Sequence, residues 1–169
     1  MPHNKTTGQT PPSAEAQLAG LIAKLEPKNQ QLVKSLCGAL RKRFPTANEL
    51  VYDYSRSLVI SYSPNERGID AVVAMSADSN GVRLFFNNGP SLPDPGGILL
   101  GDGRATRYIP IESAKALLRP EVDALLTAAV GKLTIPLAKS GRGQLVIKSA
   151  KPRSKSPSAK PKRPKRHSP

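Results

Sequence analysis

Tryptophan is absent, cysteine occurs once, and histidine occurs twice, at positions 3 and 167. The single thiol, Cys37, excludes an internal disulfide and suits a reducing compartment. Without histidine from residue 4 to residue 166, the body lacks the means to build the usual His/Cys zinc site. A Ser-His-Asp or Cys-His catalytic arrangement within it is excluded on the same count. No run approaches the roughly 18 apolar residues of a membrane helix, and the opening MPHNKTTGQTPPS carries no apolar segment of a secretory signal. The expectation is a cytoplasmic protein with no membrane partner. Aromatics are few, three Phe and four Tyr, so the core is mostly aliphatic. A chain of 169 residues suits one domain with flexible ends.

Acids are scarce too: 12 Asp and Glu stand against 26 Lys and Arg, for a formal net charge of +14. Strongly basic chains often meet nucleic acid or anionic surfaces. The excess is unevenly placed. Residues 151–169 hold eight Lys and Arg and no acid, which leaves only +6 on residues 1–150.

Along the chain, residues 1–13 read as a disordered arm, 14–149 as the folded domain, and 150–169 as a disordered Lys/Pro/Ser-rich tail. Ser13 is a candidate N-cap, and Leu18, Leu21, Ile22 and Leu25 mark one helical face. Pro27 ends or restarts that helix. Leu32, Val33, Leu36, Cys37 and Leu40 repeat the pattern, which closes on Arg41-Lys42-Arg43, cations suited to a helix C-terminus. The period then becomes two through 50–55 and 58–62, marking half-buried strands. Residues 69–75 form a nearly continuous apolar run, expected as a central strand covered on both faces. An Asn80-Gly81 turn returns the chain through 82–86, and 106–111 follows as a short strand. Pro120 opens a last helix that Gly131 closes, and Gly141-Arg142-Gly143 reads as a hinge before a short strand at 144–148. The fold class expected is α+β: one compact domain with a curved antiparallel sheet and flanking helices.

Three segments carry a family resemblance: Val51-Tyr52-Asp53-Tyr54 leading into Leu58-Val59-Ile60; the stretch LPDPGGILLGDG at 92–103 followed by Thr106-Arg107-Tyr108-Ile109; and Gly141-Arg142-Gly143-Gln144-Leu145-Val146-Ile147-Lys148-Ser149. Together they resemble the YdhG-like family of small bacterial domains, a family defined by sequence without an assigned function, over roughly residues 14–149. The resemblance implies a compact α/β domain with a curved antiparallel sheet. It also implies iron handling as an alternative function, since some members of the wider family are regarded as frataxin-like iron chaperones. The residues oppose that alternative. Glu15 and Glu26 lie eleven positions apart on the first helix, the second helix has no acid, and Glu49, Asp53, Glu66 and Asp70 are scattered among Arg56 and Arg67. No cofactor and no resident metal are expected.

Two polar constellations are candidate ligand-binding sites. Gly101-Asp102-Gly103-Arg104 lets backbone N–H groups approach an anion, with Arg104 and Arg107 to supply charge; the alternative is a structural Ω-like turn. The stretch fails the P-loop pattern, since Asp102 stands where a Lys is required, and lacks the third glycine of a dinucleotide loop. Tyr52 and Tyr54 share one strand face, able to line a pocket or simply pack at a rim, and Asp53 takes the other. No carboxylate pair is spaced for acid–base hydrolysis, and no nucleophile has a base nearby in sequence. The expectation is a non-enzymatic protein that binds a small ligand or protein partner. An enzyme acting on an anionic small molecule around Arg104, Arg107 and Tyr52 is the further alternative.

In the tail, Lys151, Arg153, Lys155, Lys160, Lys162, Arg163, Lys165 and Arg166 recur among prolines and serines. Proline favours an extended, solvated chain, so these cations suit non-specific DNA or RNA contact through phosphates. No aromatic is interleaved among them to stack on bases.

Overall fold

A computed structural model describes residues 10–148; the expected tail and residues 1–9 of the expected N-terminal arm lie outside the described residues. The Ser13 side chain accepts the Ala16 N–H at 3.2 Å and starts α1, Ala14–Ile22. Pro27 occupies the first turn of α2, Pro27–Arg43, where a missing N–H costs nothing. Six strands follow: β1 Asn48–Tyr54, β2 Ser57–Ser63, β3 Val73–Asp78, β4 Gly81–Phe86, β5 Arg107–Ile111 and, after α3 at Pro120–Gly131, β6 Leu145–Lys148. The class is α+β, as expected. No helix among the described residues is long and apolar enough to cross a membrane.

The strand order is β5-β4-β3-β2-β1-β6, an open sheet. Neighbours from β1 to β5 run antiparallel in a meander, but β6 pairs in parallel with β1, Glu49 opposite Leu145 and Tyr52 opposite Lys148. The sheet is therefore mixed, correcting the antiparallel expectation. The cause is the route of the chain: it crosses through α3 to the far edge, and a crossover delivers a parallel neighbour. Gly143 is pinned there. Its N–H bonds Pro45 O at 3.0 Å, and a Cβ on it would stand 1.7 Å from Ala47 O, so only glycine admits that approach. The expected hinge is a close-packed crossing.

All three helices pack on one face. Leu18 and Ile22 of α1, Val33, Leu36 and Leu40 of α2, and Val122, Leu125 and Leu126 of α3 join one core with Val51, Ile60, Met75, Leu84 and Ile109 of the sheet. The run at 69–75 departs from expectation. Gly68–Asp70 is a 3-10 turn with Ile69 73% exposed, and β3 begins only at Val73. Burial alternates along β3, so this central strand is sealed on its helix side alone.

Candidate functional site

A groove of about 790 Å³ lies between the end of α2, the 3-10 helix Ala114–Leu118 and α3. Local sequence builds each wall. α2 ends at Arg43 ahead of Phe44-Pro45, and Phe44 turns inward, 4% exposed. The 3-10 helix ends just ahead of Pro120, and its tight winding sends adjacent leucines apart: Leu117 is 5% exposed and Leu118 81%. Val130 of α3 and Leu137 of the segment before β6 complete an apolar lining. The Arg43 guanidinium ties the walls together, donating to Thr127 Oγ1 at 2.9 Å and pairing with Asp123. Lys42 and Lys115 are exposed at the rim, with no ion-pair partner among the described residues. No carboxylate lines the groove. An apolar body with a negative head matches this arrangement of apolar wall and cationic rim.

The residues singled out from sequence do not converge on one site. Tyr52 and Tyr54 do meet, their rings 6.1 Å apart and nearly parallel on the outer face of β1, away from the helices. Asp53 points to the helix side and accepts from Lys24 Nζ at 3.4 Å. Arg107 lies on β5, four strands from β1, about 19 Å across the sheet. Its guanidinium donates to the backbone oxygens of Gly103 and Thr106, the latter at 2.9 Å, so it closes its own loop. Arg104 is exposed. In the glycine-rich loop, the Ile98 and Leu99 N–H groups donate to Asp94 Oδ1 and Oδ2 at 3.0 and 2.9 Å. The chain's own carboxylate takes the place a bound anion would take.

A second cavity, about 270 Å³, opens beside Arg41, Glu49, Tyr62 and Arg142. Glu49 is 7% exposed, a buried acid on the helix side of β1. It accepts from Arg41 Nε at 2.7 Å and from the Tyr62 hydroxyl at 2.9 Å, and Arg41 reaches Glu15 at 3.2 Å as well. Burial pushes the Tyr62 hydroxyl well above its ordinary pKa, and burial raises the Cys37 thiol beside it from 9.0 to about 11 despite its hydrogen bond with Tyr62. The result is a closed network in which Glu49 and Arg41 partner each other and the Tyr62 hydroxyl donates to Glu49. Among the described residues, no group of three or more His, Cys, Asp or Glu side chains is placed to hold a metal ion.

Sequence reasoning missed Lys42, Lys115, Leu118, Val130 and Leu137. The available signal was apolar residues outside any period: Leu117-Leu118 ahead of Pro120, and Leu133-Thr134-Ile135-Pro136-Leu137 between two glycines. It also credited Arg41-Lys42-Arg43 to the helix dipole alone, whereas Arg41 holds Glu49, Arg43 holds α3, and Lys42 faces the groove. No family model, curated protein or solved structure matches the chain.

Proposed function

We propose that this protein is a non-enzymatic binding protein of the cytoplasm whose body takes a small amphipathic anion in the groove under Phe44. Its basic tail associates with nucleic acid without reading sequence. The observation that carries the reading is the 790 Å³ groove, apolar along its walls, with Lys42 and Lys115 at its rim and without an ion-pair partner among the described residues. Burying each ligand methylene there contributes roughly 0.8 kcal/mol, and the rim lysines select a negative head. A lining without a carboxylate, with its arginine committed to Asp123 and Thr127, favours holding a ligand over transforming it. The resemblance to YdhG-like domains is consistent with a compact body of this kind.

Calorimetric titration with decanoate and with decanol tests the groove. Decanoate binds saturably, tighter than about 1 mM, and decanol more weakly. Lys42→Ala/Lys115→Ala removes the preference for the anion, and Val130→Asp removes binding of both. No saturable decanoate binding, or binding indifferent to Val130→Asp, overturns the reading. For the tail, the full chain is compared with a chain ending at Ala150 on duplex DNA. If all eight cations engage, log K falls against log salt with a slope of about −7, and truncation abolishes the slope. Equal duplex affinity with and without residues 151–169 ends the tail's part in the proposal.

A further inference from the structure

The outer face of the sheet, the one without helices, gathers four of the seven aromatic residues of the chain. The strand register maps them. One row across the sheet runs Tyr108, Phe85, Ala74, Ser61, Leu50; the next runs Pro110, Arg83, Ser76, Val59, Tyr52 and then Lys148 of β6. Tyr108 and Phe85 pack at 5.3 Å near one edge, with the Arg83 guanidinium 5.7 Å over the Tyr108 ring. Tyr52 and Tyr54 stack near the other. Between the two pairs the floor is made of small side chains, Ala74, Ser76, Val59 and Ser57, all partly accessible, while Ser61 and Leu50 at the end of the first row are buried. The segment 64–71 closes only part of this face: Gly68 rests against the Tyr52 hydroxyl, and Lys148 Nζ reaches Glu66 at 3.2 Å. Tyr54 stays 41% exposed, next to exposed Arg56, which has no ion-pair partner among the described residues.

We infer that this face is a stacking platform for single-stranded nucleic acid, working together with the basic tail. Two features of the molecule choose that occupant. Planar aromatic faces on an open sheet suit unpaired bases, which a duplex keeps inside its stack. The tail's eight cations and no acid begin three residues beyond Lys148, itself on this face beside Tyr52. In sequence, the phosphate-binding tail follows directly on the strand that borders the aromatic face. The tail carries no aromatic, and the body supplies four on one surface. Tyr52, held by Gly68, backs Tyr54, whose ring stays 41% exposed for a base.

The inference rests on the nucleic-acid reading of the tail, and its test is separable from that reading. The full chain is titrated by fluorescence anisotropy against labelled (dT)20 and a 20-base-pair duplex in the same buffer. The wild-type chain binds the single strand more tightly. Tyr54→Ala/Tyr108→Ala lowers single-strand affinity about tenfold or more and leaves duplex affinity unchanged. Tyr54→Phe, which keeps the ring, retains single-strand affinity. Should the double variant lose its circular dichroism signature, Tyr54→Ala alone carries the test, because its side chain is exposed at the end of a strand. Single-strand affinity indifferent to Tyr54→Ala, or an equal loss on both ligands, overturns the inference. Failure of the tail reading shows instead as duplex affinity indifferent to truncation.

Discussion

On its helix side the sheet presents Val51, Ile60, Met75 and Leu84 in one row, each at most 1% exposed. One residue away along each of β1 to β4 the pleat turns over, and the adjoining outer row, Tyr52, Val59, Ser76 and Arg83, stays partly accessible. The strands are the same; only the cover differs. Three helices remove one face from water, while the other has a single loop laid across part of it. Burial energy is thus concentrated on the first face, and the second is free to carry groups chosen for contact.

The largest expected effect comes from stepping between those rows within one strand. Ile60→Ala costs about 2–5 kcal/mol, the range for a buried aliphatic truncated in a packed core. Val59→Ala, its immediate neighbour on the outer face, costs less than about 1 kcal/mol. Urea denaturation of both variants measures the contrast, and similar losses would erase the distinction between the faces.

A smaller effect tests the one acid sealed under the helices. Glu49→Gln leaves Arg41 facing a neutral amide and weakens the Tyr62 contact, for a loss of about 1–2 kcal/mol. Asp53→Asn, on the same side of the same strand but paired in the open with Lys24, costs no more than about 0.5 kcal/mol. Thermal unfolding of the two variants ranks them. If Asp53→Asn proves the costlier, burial is not what gives the Glu49 network its weight.

The smallest effect is a pH dependence. Burial raises the folded-state pKa of Cys37 from 9.0 to about 11, so the unfolded chain loses this proton first as pH rises. The stability that the neutral thiol contributes is complete below pH 9 and is lost as pH climbs through about 11. Tyr62, raised for the same cause, adds to the fall. Urea midpoints of the wild type and Cys37→Ala at pH 8 and pH 10.5 isolate the thiol: the wild type declines more steeply. Equal declines would mean that Cys37 titrates in the fold as it does in the unfolded chain.

Much of the fold was legible locally. Ser13 as cap, Pro27 and Pro120 as helix openers, and the i, i+3, i+4 faces of α1 and α2 each follow from neighbours within a turn or two. The Asn80-Gly81 turn was legible too, with Gly81 at φ 115° and Asp78 Oδ1 accepting the Asn80 N–H at 2.8 Å. The parallel place of β6 was not. Its four residues carry no direction, and its seat depends on Gly143 slipping beside Ala47, nearly a hundred positions earlier. The start of β3 was misread because apolarity alone does not separate a strand residue such as Val73 from an exposed turn residue such as Ile69.

For the candidate sites the division follows the same physics. Alternate positions in one strand share a face by period two, so the Tyr52–Tyr54 pairing could be read from spacing alone. The groove joins residues 39–44, 114–118 and 127–137, and the aromatic face joins β1 to β4 and β5. Sequence by itself determined the element types, the charge division between body and tail, and the absence of histidine chemistry from the body. Tertiary structure alone decided which cations are spent on internal partners, as Arg41, Arg43 and Arg107 are, and which have no ion-pair partner among the described residues, as Lys42 and Lys115. Composition and periodicity act over a few residues, whereas a charge is spent or left free by what packing brings to it from far along the chain.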